Sequence, residues 1–134
     1  MSLYVDSSAL LKRYVDEPDS EACDTILRSE QTLVTGRHTI VEVRRNLARL
    51  VGPAELGDVK AQFEQDLSAF SLVELDAETC ETAAAIAEAT SVRTLDALHL
   101  ASAQRVGGTA LPVLTYDIRQ AQAARSLGFV VLGA

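Results

Sequence analysis

Arg93-Thr94-Leu95-Asp96-Ala97-Leu98-His99-Leu100-Ala101-Ser102-Ala103 is the stretch on which the reading of this chain turns. Its apolar residues recur at helical spacing, and Leu95, Leu98, Leu100 and Ala101 are expected to bury the helix against a core, with Ser102 and Ala103 permitting close approach. One carboxylate, Asp96, interrupts it in the first turn, where the positive end of the helix dipole favours an anion. Capping alone would explain a single Asp there. Its surroundings suggest more. Downstream, Gly107-Gly108 stops the helix, and Leu111 to Thr115 reads as a short strand with Pro112 tolerable near its start. Upstream, an alanine-rich helix from Glu78 to Ala89 follows another apolar run, Leu72-Val73-Glu74-Leu75.

The same alternation continues to both ends. Tyr116-Asp117 opens a helix to Leu127, Gly128 stops it, and Phe129 to Leu132 is the last strand. At the other end, Ser2 to Val5 is a strand ending at Asp6, and Ser7 or Ser8 caps a helix through Leu10, Leu11 and Tyr14. Pro18 and Asp19 restart a helix marked by Ala22, Cys23, Ile26 and Leu27, and Thr32 to Thr35 is a strand closed by Gly36. Thr39 to Leu50 is a helix that buries Ile40, Val43, Leu47 and Leu50 and carries Glu42 near its first turn. Gly52-Pro53 breaks it, and Ala54 to Phe70 follows with Leu56, Val59, Phe63, Leu67 and Phe70 inward. Five short apolar strands separated by helices predict an α/β fold: a central parallel five-stranded sheet covered on both faces, a three-layer α/β/α sandwich. Residues 1–134 read as a single domain, without repeat or linker.

Composition limits the function. At 134 residues and 48% hydrophobic content, the chain can bury about two-thirds of its unfolded surface. No apolar run reaches a membrane span and no leader pattern opens the chain, so a soluble cytoplasmic protein is expected. Cys23 and Cys80 read as reduced packing thiols. The net charge of −7 disfavours a nucleic-acid binder that works through a general positive field. The charge is segregated, however. Acids concentrate between Asp16 and Glu30 and between Glu55 and Glu81, while Arg37, Arg44, Arg45, Arg49, Arg93, Arg119 and Arg125 lie outside those blocks.

In an open parallel sheet the working crevice lies beyond the carboxyl ends of the strands, where the strand order reverses. Asp6 and Asp117 each follow a strand and open a helix, and Glu42 and Asp96 each sit in a first helical turn, so all four can meet at that edge. Two carboxylates about 4 Å apart repel by roughly 4 kcal/mol at an effective dielectric of 20. Such a cluster takes up protons or binds cations. An all-oxygen set suits Mg²⁺ or Mn²⁺, and a pair of such ions suits phosphodiester hydrolysis.

The strand ending in Asp6-Ser7-Ser8, Glu42 in Thr39-Ile40-Val41-Glu42-Val43-Arg44-Arg45, the Leu95-Asp96-Ala97-Leu98-His99-Leu100-Ala101 run, and Thr115-Tyr116-Asp117 together resemble a PIN domain of the VapC toxin type over essentially the whole chain. That resemblance implies a Mg²⁺- or Mn²⁺-dependent endoribonuclease acting on RNA, homodimeric, and inhibited by a cognate antitoxin. By position it implies that Asp6, Glu42, Asp96 and Asp117 are the metal-site and catalytic acids, with Ser7 and Thr115 polar positions beside them.

His99, one turn beyond Asp96, is a candidate supporting residue and otherwise a hydrogen-bonded packing histidine; His38, at a helix start, is expected to be exposed. Arg44, Arg93 and Arg119 are candidate contacts for RNA phosphates. The first helix, with Leu10, Leu11 and Tyr14, and the Ala54 to Phe70 helix carry apolar surface suited to a dimer or antitoxin contact, or to the core. Two rivals share the fold: a catalytically silent PIN-fold binding module, which would be marked by lost acids, and a phosphoacceptor receiver-like domain. The receiver would need an acidic pair after the first strand and a lysine after the last; two serines follow Asp6, and the lysines are Lys12 and Lys60.

Overall fold

The first strand, β1 (Ser2–Val5), becomes wholly buried after Ser2, as only a central strand does. In the computed structural model, which describes residues 1–134, it pairs on one side with β2 (Thr32–Gly36) and on the other with β4 (Val113–Thr115). β3 (Ser71–Val73) and β5 (Val131–Gly133) close the edges, giving an all-parallel sheet of order β3-β2-β1-β4-β5. The order reverses between β1 and β4, so the crevice opens where Asp6 and Asp117 leave their strands.

Alternation along β1 divides the core. Leu3 and Val5 point to one face, with Leu114, where α1 (Ser7–Leu11), α2 (Ser20–Ser29), α3 (Thr39–Leu50) and α4 (Pro53–Leu67) contribute Leu10, Leu27, Val43, Leu47 and Phe63. Tyr4 points to the other, with Val34 and Val113, against α5 (Ala77–Thr90), α6 (Thr94–Gly107) and α7 (Ile118–Ser126). This is the expected three-layer sandwich. No helix is long and apolar enough to cross a membrane.

Several local expectations are corrected. Neither Ser7 nor Ser8 caps α1; Asp6 does, accepting from Ala9 N at 2.9 Å. The helix ends at Leu11, and its apolar residues serve the chain's own core: Leu10 is fully buried, and Tyr14 packs edge-on against Phe63 and donates to Asp66. Leu50 is 48% exposed because it is the last residue of α3, and Leu95 is 45% exposed because it stands on the rim of the crevice. Cys23 packs in the core, but Cys80 is exposed and is no packing thiol. A short 3-10 turn, Gly108–Ala110, separates α6 from β4. It begins at Gly108 with φ +56°, a conformation that glycine takes without strain.

Candidate active site

Each acid is positioned by local backbone chemistry. Asp6 and Asp117 are helix N-caps, their Oδ1 atoms accepting from Ala9 N and Gln120 N. Glu42 lies in the first turn of α3 and Asp96 in that of α6. Four helix amino ends therefore face one place, and their partial positive charges offset part of the cost of gathering anions. Asp6, Ser7, Ser8, Glu42, Asp96 and Asp117 share a cleft of about 420 Å³ with Arg93 and Gln120.

The buried acid is held most firmly. Asp6 is 1% exposed; Ser8 Oγ donates to its Oδ1 at 2.7 Å and Thr115 Oγ1 to its Oδ2 at 2.5 Å. These hydroxyls also receive backbone donors from the next loop, Tyr116 N on Ser8 and Asp117 N on Thr115, tying the end of β4 to the end of β1. Gln120 faces only acceptors at one end, which assigns its amide nitrogen there. So oriented, it donates to Asp96 Oδ1 at 3.0 Å and Asp6 Oδ2 at 3.2 Å. Arg93 bridges the next pair, with Nε 3.5 Å from Asp96 Oδ2 and a terminal nitrogen 3.3 Å from Asp117 Oδ2.

Glu42 reaches the cleft from the β2 side, where its Oε1 meets His99 Nε2 at 2.8 Å. Behind it, Gly36 N donates to Tyr4 Oη and Tyr4 meets His99 Nδ1 at 2.7 Å. Because the Gly36 N–H can only donate, the Tyr4 hydroxyl hydrogen is left for His99 Nδ1. His99 then carries its proton on Nε2 and donates it to Glu42.

The charges are poorly compensated. Burial pushes Asp6 above its ordinary value, against the hydrogen bonds that favour its charged form. Burial and then the neighbouring Asp117 push Asp96 up. Burial works the same way on Glu42, but the hydrogen bond and charge of His99, with His38 behind, outweigh it and hold the group below its usual value. Three or four carboxylates against one guanidinium is an oxygen-only donor set short of positive charge. It fits a hard divalent cation, with Asp6, Glu42, Asp96 and Asp117 as the residues to hold it.

Of the other candidates, Ser7 lines the cleft and Thr115 touches Asp6 directly. Arg119 and Arg93 line an adjoining hollow of about 430 Å³. Arg44 is not brought there: it borders grooves on the far side of α3, beside α4. His38 is buried rather than exposed, its ring folded against Gly36 and 4.2 Å from the His99 ring centre. The reading from sequence missed Gln120, the role of Ser8, and Tyr4. Tyr4 did carry a signal, since a tyrosine in an otherwise aliphatic central strand requires a partner for its hydroxyl.

The PIN domain family model matches residues 3–126. Ribonuclease VapC46 of Mycobacterium tuberculosis is 34% identical over 98% of this chain and 96% of the relative. Ribonuclease VapC35 of the same organism is 36% identical over 97% and 95%. Among solved structures, FitAcB from Neisseria gonorrhoeae superposes with a TM-score of 0.76 at 20% identity, covering 98% of this chain and 96% of that one. VapC20 of M. tuberculosis, described as a sarcin-ricin loop cleaving toxin, gives 0.76 at 16% identity over 96% of each chain. The structures agree in fold, the curated relatives agree along nearly the whole sequence, and the chain belongs to the PIN-domain family, among the VapC ribonucleases.

Proposed function

We propose that this protein is a metal-dependent endoribonuclease, the toxin of a toxin-antitoxin pair, and that Asp6, Glu42, Asp96 and Asp117 are its catalytic acids. The observation that carries the reading is the placement of those four side chains, from four separate helix starts, around one cleft. Mg²⁺ or Mn²⁺ bound there would supply the charge that neutralises the acids and would lower the pKa of a water for attack on phosphorus. The chain's own residues do the rest. Ser8, Thr115 and Ala9 N fix Asp6, and Gln120 fixes the spacing of Asp6 to Asp96. His99 holds Glu42 forward. Arg93, exposed at the mouth, and Arg119 beside it offer bidentate donors to the RNA phosphates flanking the cut.

The polyanion is then met by a locally compensated cleft despite the overall charge of −7. Water attack leaves a 3′-hydroxyl and a 5′-phosphate. Pairing with a second copy and inhibition by a cognate antitoxin belong to the same reading. Asp96→Asn and Asp6→Asn should each lower RNA cleavage in Mg²⁺ beyond the roughly 10–100-fold that losing a merely supporting residue costs. The folded structure should survive, because Asn caps α1 as Asp6 does, and at position 96, which caps nothing, it keeps the side chain's shape and sheds a charge that burial disfavours. The checks are sequencing of the RNA ends and circular dichroism; full activity in a folded variant would overturn the assignment.

A further inference from the structure

Beside the acid cleft, and sharing Glu42 with it, lies a second group of ligating atoms, of which the hydrolytic reading leaves His38 without a role. His38, Glu42 and His99 each present one such atom, all within 4.8 Å of one another. Glu42 Oε1 is 2.8 Å from His99 Nε2 and 3.9 Å from His38 Nε2. His38 is only 6% exposed, yet neither of its ring nitrogens has a hydrogen-bond partner. Buried polar atoms are almost always paired, so an unpaired imidazole facing a carboxylate and a second imidazole calls for a ligand.

The backbone keeps room for that ring. A Cβ on Gly36 would lie 2.5 Å from His38 Cε1 and 2.6 Å from its Nδ1, so any side chain there would displace it. His99 in turn has an outer partner on its far nitrogen, Tyr4 Oη at 2.7 Å, itself anchored by Gly36 N. A hydroxyl oxygen fixed on the far nitrogen can turn to accept its N–H once the near nitrogen ligates, which is the support ligating histidines need.

We propose that His38, Glu42 and His99 form a binding site for an imidazole-preferring divalent ion of the Zn²⁺ class, distinct from the oxygen-only site and sharing Glu42 with it. Two imidazoles and one carboxylate, with a fourth position open, make a three-ligand zinc set, whereas Mg²⁺ has little use for imidazole. The ion takes the place of the proton between His99 Nε2 and Glu42. The His99 proton moves from Nε2 to Nδ1, Tyr4 Oη turns from donor to acceptor there, and its hydroxyl hydrogen turns toward Ser102 Oγ, so no proton leaves the group. Zn²⁺ holds Glu42 Oε1 on the histidine side, which turns the carboxylate away from the acid cleft and slows cleavage. That consequence rests on the ribonuclease reading; the binding itself does not.

The test uses the metal-stripped whole protein, with Co²⁺ as an absorbing stand-in and Zn²⁺ followed by nitrogen NMR of the imidazole rings. One Co²⁺ per chain should bind with the intense visible absorption of a low-coordinate imidazole site, and His38→Gln should weaken it by about 100-fold or more. Zn²⁺, but not Mg²⁺, should shift the ring nitrogens of both His38 and His99 in the wild type, a readout that stands even if the variant fails to fold. Whatever its own rate in Mg²⁺, His38→Gln should lose far less of that rate to added Zn²⁺ than the wild type loses. Unshifted rings, or a folded variant that binds Co²⁺ as the wild type does, would overturn the site. Absence of any cleavage by the wild type would instead overturn the ribonuclease reading, with absorption and ring shifts still deciding this one.

Discussion

At the scale of single residues, burial without adequate compensation sets the pH behaviour. Burial, and then the charge of His99, lowers His38 from 6.5 to about 4, with Glu42 opposing. The unfolded chain takes up a proton near 6.5 that the folded chain refuses until about 4. The associated stability is complete above the upper value and is lost as pH falls through that window, on the order of 3 kcal/mol in all. Urea titrations in EDTA at several pH values should show this slope in the wild type and not in His38→Gln. Asp6 has the opposite sign. Its folded pKa is raised, so stability falls as pH rises from the ordinary carboxylate range through the raised value and is level above it, and Asp6→Asn, which has no such fall, should gain on the metal-free wild type across that span. Thermal melts in EDTA check it. A gain in stability with a loss of cleavage is the expected mark of an acid kept for function. In the sequence, the four acids were legible because each breaks an apolar segment at an element boundary. His38 was not, because its burial depends on the bare Cα of Gly36 two residues earlier. Gln120 depends on α7 being docked across the sheet end.

Among the elements, α6 is the most constrained. Leu100 and Ala101 are fully buried, and Ser102 Oγ turns back to Leu98 O rather than outward. Small side chains here let the helix approach the sheet and α5 closely enough to place Asp96 in the cleft and His99 against Glu42 behind it. Ala101→Leu should therefore cost about 1–3 kcal/mol of stability by overpacking, read from the urea midpoint. It should also weaken cleavage, since the helix carries two site residues. The strands were legible from their short apolar runs, although Leu75, Leu111 and Pro112 lie outside the paired segments. An apolar run shows where a chain is buried, while the ladder stops where its neighbour stops, and the neighbour is not written in the run. The caps went to Asp6 rather than the adjacent serines because the two serine positions are already helical.

For the molecule as a whole, the proposed site would couple folding to cation binding. Mg²⁺ at 100 times its dissociation constant should stabilise the wild type by about 2.7 kcal/mol, and Asp6→Asn far less, measured as the shift in melting temperature. The layer order could be read from the alternation of segments, whereas the pairing of β1 with β4 could not, because the rule for parallel sheets calls for a reversal without saying which strands flank it. That pairing has a further result. The Thr115 to Asp6 hydrogen bond spans 109 residues. At a synthesis rate of roughly 5–20 residues per second, β1 waits on the order of 5–20 s before its second neighbour has been made. A nascent chain thus lacks a closed acid cleft for most of the time this domain is being made, and the cleft is assembled only once β4 and α7 have emerged.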